Sequence, residues 1–212
     1  MRRYKTWMSG VVLAGSMLLH LSNASAGGVV GGTRLIYNTN KSEASLTLSN
    51  QEKKGAYLIQ SWLENGDENT TQPIPLVITP PLFRMDGGQE NILRIVYTGS
   101  PALPKNRESL FWLNTKSIPE TSKTENNRLL ISVRSRIKLF YRPKGLPGNA
   151  NEAYKSLTWQ RQGTRLTVTN PTPYYVSFNK VSVGTTEVKN PPMVTPFGSA
   201  SMETPTTSGA IT

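Results

Sequence analysis

The chain has 212 residues, no cysteine and a single histidine, His20. The absence of thiols excludes disulfides, Cys-ligated zinc, iron–sulfur clusters and thiol nucleophiles. His20 lies in an N-terminal segment that reads as removed on maturation, as argued below. Its loss excludes a Ser-His-Asp triad, a histidine-ligated metal and a histidine general base. Carboxylate, lysine or Ser/Lys chemistry is what remains. The acids available for a glycosidase-type pair are Glu64, Asp67 and Glu108, but each sits at a turn signal or inside a patterned segment. The chain therefore reads as a non-enzyme, with no catalytic residue, metal or cofactor expected. Trp62, Trp112 and Trp159 could stack on sugar rings, which would suit a secreted carbohydrate-binding or adhesin module. Their positions within strand patterns favour core packing instead. The charged residues point to binding: 24 Lys+Arg against 13 Asp+Glu give +11, which suits an anionic partner such as nucleic acid, anionic lipid or an acidic protein.

The N-terminus decides the compartment. Arg2, Arg3 and Lys5 precede an apolar run from Met8 to Leu21, and Ala24-Ser25-Ala26 supplies small residues for cleavage. This is the pattern of a secretory signal peptide over residues 1–26. The run of about 14 residues is short of the ~20 that span a bilayer, so no membrane insertion is expected. Taking 26 residues and three basic side chains from 212 residues and +11 leaves a mature chain of 186 residues and +8, without histidine. Export makes nucleic acid an unsuitable partner despite the basic charge.

The elements that must position any site read as strands. Apolar residues follow a period near two over Thr33–Tyr37, Ala44–Leu48, Ala56–Leu63, Leu76–Thr79, Asn91–Thr98, Leu110–Lys116 and Arg128–Tyr141. Turn clusters separate them, among them Asn38-Thr39-Asn40, Asp86-Gly87-Gly88 and Thr98-Gly99-Ser100-Pro101. Seven strands in about 110 residues predict an immunoglobulin-like sandwich, with another all-β barrel as the alternative. Arg142 to Asn149 holds two prolines and two glycines and cannot continue a central strand. The expected organisation is an N-terminal domain over 27–143, a linker over 144–150 and a second β-domain over 151–212. In the second, strands are expected at Leu157–Gln160, Arg165–Thr169, Tyr174–Phe178 and Lys180–Val183. That space is short for a whole sandwich of about 100 residues, so this domain is expected to be incomplete. Gly198–Thr212, rich in Ser, Thr, Gly and Pro, is expected to be disordered or poorly packed.

The longest strand candidate is Asn127–Tyr141. Leu129, Ile131 and Val133 alternate towards one face, with Arg134, Arg136 and Lys138 on the other. On alternation alone this is an amphipathic strand with one face in a core. A long strand with an apolar row also suits pairing with an extended segment of another protein.

Several motifs resemble those of the PapD-like periplasmic pilus chaperones. Asn106-Arg107-Glu108-Ser109-Leu110-Phe111-Trp112-Leu113-Asn114, followed by Ile118-Pro119, is similar to the family's sixth strand. Arg136-Ile137-Lys138-Leu139-Phe140-Tyr141-Arg142-Pro143 resembles its seventh strand and the exit from the first domain. Thr79-Pro80-Pro81 and Asn170-Pro171-Thr172-Pro173-Tyr174-Tyr175-Val176 also match, in the same order. The resemblance runs from about Gly31 to Pro196.

The resemblance implies two immunoglobulin-like β-sandwich domains and a chaperone of the chaperone–usher pathway. Such a protein donates its seventh strand to an incomplete pilus subunit and delivers the subunit to an outer-membrane usher. It implies Leu129, Ile131 and Val133 as the donated row, whose burial would contribute about 5–9 kcal/mol before ordering costs. It implies Arg34 and Lys138 as anchors of the subunit's C-terminal carboxylate. Lys138 and the apolar row differ in parity, so both facing the subunit is expected to need a bulge or strong twist. It also implies an interdomain salt bridge at Glu108 and Arg142, normally completed by an acidic residue in an Asn-Asp-Tyr-Gly-type motif near the end. No such motif is present, and Glu203 is the only acid after Pro196. The bridge is therefore expected to be incomplete, and a non-functional shortened copy is an alternative. The short segment Ile118–Leu129 resembles the short-loop branch that serves rod-forming pili. Its polar tip, Glu120–Asn127, is expected to order on binding. The periplasm is the implied location, and self-association of the unbound chain through the same strand is a further expectation.

Overall fold

The computed structural model describes residues 29–121, 130–204 and 206–212. The signal peptide, Leu129 and most of the polar tip lie outside the described residues.

Period-two segments become strands because each can turn its apolar set into one interior. In the first unit nine strands form two sheets. They are β1 (Val29–Val30), β2 (Arg34–Asn38), β3 (Glu43–Ser49), β4 (Tyr57–Asn65), β5 (Leu76–Thr79), β6 (Leu82–Met85), β7 (Glu90–Tyr97), β8 (Ser109–Pro119) and β9 (Val133–Arg142). One sheet has the order β1-β3-β7-β5 and the other β2-β9-β8-β4-β6. Between them Leu46, Leu93 and Ile95 of the first sheet meet Ile59, Leu113, Leu139 and Tyr141 of the second. Every expected strand of this unit is present. β6 was not anticipated, because Pro80 and Pro81 interrupt the pattern beside it.

β9 is shorter than expected at its start. It begins at Val133, and Leu130, Ile131 and Ser132 are not strand. The reason is partnership. β8 ends at Pro119, and its last pair with β9 is Ser117↔Val133. Val133 is thus the last paired residue, two positions before β8 ends at Pro119, which has no N–H to give a ladder.

The second unit opens with a 3₁₀ helix, Ala150–Ser156, which starts at the last residue expected for the linker. A three-stranded sheet follows in the order β10 (Thr158–Gln162), β11 (Arg165–Thr169) and β14 (Ser199–Glu203), with a pair β12 (Ser182–Val183) and β13 (Thr186–Glu187). Leu166, Val168, Val181, Val183, Val188 and Val194 close its core. Two expectations fail here. Tyr174–Phe178 is not a strand but makes a single bridge, Val176↔Val194. Pro171 and Pro173 lack donors, and Asn170 takes over the local bonding. Its Nδ2 donates to Tyr174 O at 2.7 Å and Thr195 O at 3.0 Å, and its Oδ1 accepts from Thr172 N and Oγ1. The tail from Gly198 is not disordered, since Ser199–Glu203 pairs with β11 along its length. Its Ser/Thr content, which suggested disorder, forms a cross-strand hydroxyl ladder. Thr167 meets Ser201 at 3.0 Å and Thr169 meets Ser199 at 2.9 Å, while Met202 is buried opposite Leu166. Ile211 bridges to Val183.

Candidate functional site

The site begins with a difference between the two sides of β9. Against β8 the register runs unbroken from Ser109↔Tyr141 to Ser117↔Val133. On the other side β2 pairs only over Lys138–Arg142, in parallel. Val133–Ile137 therefore has one edge that no strand among the described residues covers. Leu130, Ile131 and Val133 beside it are exposed by 49, 65 and 37%. A solvent-facing edge with apolar side chains is a template for an added strand.

The continuous register excludes the bulge expected between Val133 and Lys138. Ile137, Leu139 and Tyr141 turn into the first core, and Val133 shares their face. Arg134, Arg136, Lys138 and Phe140 face the other way. The apolar row and the cations thus lie on opposite faces of one strand. A partner bound edge-on meets both, because it lies in the plane between them.

The two expected anchors stand where the open edge ends. Arg34 is the first residue of β2 and is in register with Lys138. Lys138 is half-buried. Its burial, and then the neighbouring Arg34 charge, push its ammonium below the ordinary 10.5. Its Nζ donates to Ser177 Oγ at 3.1 Å. Around them is a recess of about 250 Å³, lined by Thr33, Arg34, Trp112, Arg136, Ile137, Lys138, Phe140 and Ser177. Three cations line it and no acid does. Crowded cations in a partly desolvated recess repel one another, and a bound anion relieves that repulsion.

Glu108 and Arg142 lie beyond this recess, at the joint between the two units. Glu108 is 3% exposed. Its Oε1 accepts from Arg142 Nε at 2.6 Å and its Oε2 from the Tyr175 backbone N–H at 2.8 Å. The Glu108 N–H donates to Pro173 O at 2.9 Å. The sequence motif suggested an acidic side chain as third partner. In the structure the second unit contributes a backbone amide to Glu108, so that carboxylate is bonded on both oxygens. The Arg142 guanidinium also lies 5.4 Å from the Tyr174 ring, and the Phe140 and Tyr175 rings are 5.6 Å apart.

The face that carries Lys138 continues as an alternation of arginine and tryptophan. Arg136 lies over the Trp112 ring at 4.2 Å and Arg134 over Trp62 at 5.1 Å. Glu64 ties them together, accepting from Arg134 at 2.7 Å, Trp62 Nε1 at 3.0 Å and pairing with Arg136 at 3.2 Å. The Trp62 hydrogen bond is the main cause of a lowered Glu64 carboxyl, with the two arginines adding to it against burial. Trp62 and Trp112 were expected in the core. They lie outside it, covered by guanidinium groups rather than open as sugar platforms. Trp159 does pack on the second core, against Phe178 at 5.6 Å between ring centroids. Glu64 is held by arginines, not paired with a second acid, and Asp67 caps its own turn through Asn69. Ser177 lay outside the quoted motifs, and its contact crosses from one unit to the other; Tyr175 lay inside one, but it meets Glu108 through its backbone N–H, which no side chain announces.

Residues 27–147 match the family described as pili and flagellar-assembly chaperone, PapD N-terminal domain, and residues 152–211 match pili assembly chaperone PapD, C-terminal domain. The chain is 41% identical over 203 residues to a probable fimbrial chaperone, LpfB, of Escherichia coli O157:H7, covering 95% of this chain and 86% of the relative. It is 38% identical over 205 residues to the chaperone protein FimC of Escherichia coli K12, covering 96% and 83%. Among solved structures it is similar to the Salmonella enterica complex of SafA pilin with the SafB chaperone, with a TM-score of 0.77, 30% identity and coverage of 90% and 95%.

Proposed function

The chain belongs to the family of PapD-like pili-assembly chaperones, and from that membership we propose a mechanism: it captures pilus subunits in the periplasm by adding β9 to them and hands them to an outer-membrane usher. One relative is named a probable fimbrial chaperone and another a chaperone protein, and the SafB structure is a chaperone–pilin complex. The protein works by binding alone, with no covalent step and no cofactor.

The observation that carries this reading is the open edge of Val133–Ile137 ending at two cations in register. A subunit strand laid on that edge must stop where β2 begins. If its chain ends there, its α-carboxylate meets Arg34 and Lys138, and charge-assisted hydrogen bonds fix it. The rest of the strand then runs back along Val133–Ile137, parallel to β9 as β2 is. Leu129, Ile131 and Val133 enter the subunit's apolar groove from the face that Ile137 and Leu139 use within the chain. Main-chain bonds provide affinity, and the carboxylate sets the register. Glu108 and Arg142 hold the second domain against the end of β9 so that the recess keeps its shape. The short connection between β8 and β9 supports service to rod-forming pili, and the same free edge supports self-pairing of the unbound chain.

The test is capture. Arg34→Ala and Lys138→Ala, alone and together, are expected to abolish co-purification of pilus subunits from periplasm while circular dichroism stays that of the parent. Undiminished capture by the double variant contradicts the anchoring.

A further inference from the structure

The recess at Arg34 and Lys138 is not built by the first domain alone. Ser177 belongs to the second domain, yet its hydroxyl is 3.1 Å from Lys138 Nζ. Its position is fixed from both sides. Two residues before it, the Tyr175 N–H is bonded to Glu108 and the Tyr175 ring rests on Phe140. One residue before it, Val176 exchanges backbone bonds of 3.0 and 2.9 Å with Val194. One residue after it, Phe178 packs on Trp159. An exposed serine held in this way is a placed donor rather than a loosely hydrated one.

We propose that Ser177 is a third ligand of the bound carboxylate, so that an α-carboxylate in the recess joins the two domains directly. This rests on the carboxylate reading above and extends it across the cleft. A hydroxyl both donates and accepts. Here Ser177 accepts from Lys138. When a carboxylate arrives, Lys138 turns to it, and the freed hydroxyl donates a hydrogen bond to the same anion. A carboxylate offers about four lone-pair positions, so two cations leave room for one more donor. Recognition of a chain end thereby depends on both domains being in their joined arrangement. A partner with an amidated end gains less from Ser177, because its neutral carbonyl is a weaker acceptor than a carboxylate. Ser177 is thus a positioning and specificity residue for a free C-terminus.

The experiment uses the mature chain and two synthetic peptides of roughly a dozen residues, long enough to pair with the open edge. Both have alternating aliphatic and polar residues; one ends in a free carboxylate and the other in an amide. Affinities are compared for the parent, Ser177→Ala, Ser177→Thr and Lys138→Ala. Ser177→Ala is expected to weaken the free-acid peptide about tenfold, the scale of a charge-assisted hydrogen bond, and the amide, a neutral acceptor, much less. Ser177→Thr, which keeps the hydroxyl, is expected to restore the difference. If Ser177→Ala keeps the parent's acid-to-amide ratio while Lys138→Ala collapses it, the Ser177 assignment is overturned and the carboxylate reading stands. If Lys138→Ala also keeps that ratio, both fall. Equal loss for acid and amide makes Ser177 merely structural and overturns the proposal.

Discussion

Lys138 and Glu64 occupy the same face of one sheet and respond to pH in different directions. The folded Lys138 holds its proton less tightly than the unfolded chain does, because it is half-buried and beside Arg34. The charged lysine therefore costs stability at neutral pH, and that cost is relieved as pH climbs through the lowered folded value towards 10.5. Lys138→Met is expected to give a small rise in Tm for the free chain at pH 7 while removing subunit capture, the exchange of stability for function that a binding site shows. Thermal unfolding and co-purification on the same variant check it, and a fall in Tm contradicts it. Glu64 is the opposite case. Its folded value lies below 4.5, so it adds stability above that pH, which is lost as pH falls through the folded value. Glu64→Gln is expected to be less stable than the parent at pH 7, with the gap closing in acid; denaturant titrations at several pH values would measure it. That Arg34 and Lys138 come together was legible in the sequence through the motifs around them. The Arg–Trp stacking and Ser177 were not. Lys138 and Ser177 are 39 residues apart, and nothing in local periodicity encodes a contact made only when two domains close.

On the scale of elements, β9 does two jobs in one strand. Its second half is core: Leu139 is fully buried, and Leu139→Ala is expected to cost about 2–5 kcal/mol of unfolding free energy. Its first half is edge. Val133→Lys is expected to change stability by less than about 0.5 kcal/mol, since the residue is exposed, yet to abolish capture by placing a charge in the subunit's groove. Urea unfolding and subunit co-purification separate these outcomes. Loss of stability in Val133→Lys comparable to that of Leu139→Ala contradicts the division. The alternation that marks this strand was readable from residue 127 onward, but its start was not. Its pairing with β8 stops at Ser117↔Val133, two residues short of Pro119, which lacks the N–H a further ladder bond would need. The tail shows the converse. Ser199–Glu203 resembles a disordered stretch in composition, and only its pairing with β11 turns Ala200 and Met202 inward and its hydroxyls into a ladder.

For the whole molecule, Glu108 is the residue on which the two domains meet. Its carboxylate holds Arg142 within the first domain and the Tyr175 amide of the second, and it is nearly sealed from water. Glu108→Ala leaves a partly buried guanidinium and a backbone donor without their partner, and is expected to destabilise by about 3–5 kcal/mol. It is also expected to increase the radius of gyration in solution scattering as the domains lose their fixed angle. Thermal unfolding like the parent's, with unchanged scattering, contradicts this role. Two sandwich-like units joined by a proline- and glycine-rich segment were legible from the sequence. Their contact was legible only as a pair of charges, and the backbone amide that completes it has no side-chain signature.

If β9 captures a subunit as proposed, its free edge takes up a subunit strand that runs parallel to it and ends at Arg34 and Lys138. Amide hydrogen exchange across Val133–Ile137, with and without bound pilus subunit, tests this most directly. Strong protection of the outward-facing amides in the complex is expected, with little change in β8. Exchange at these amides that stays as fast in the complex as in the free chain, while the subunit remains bound, contradicts the claim.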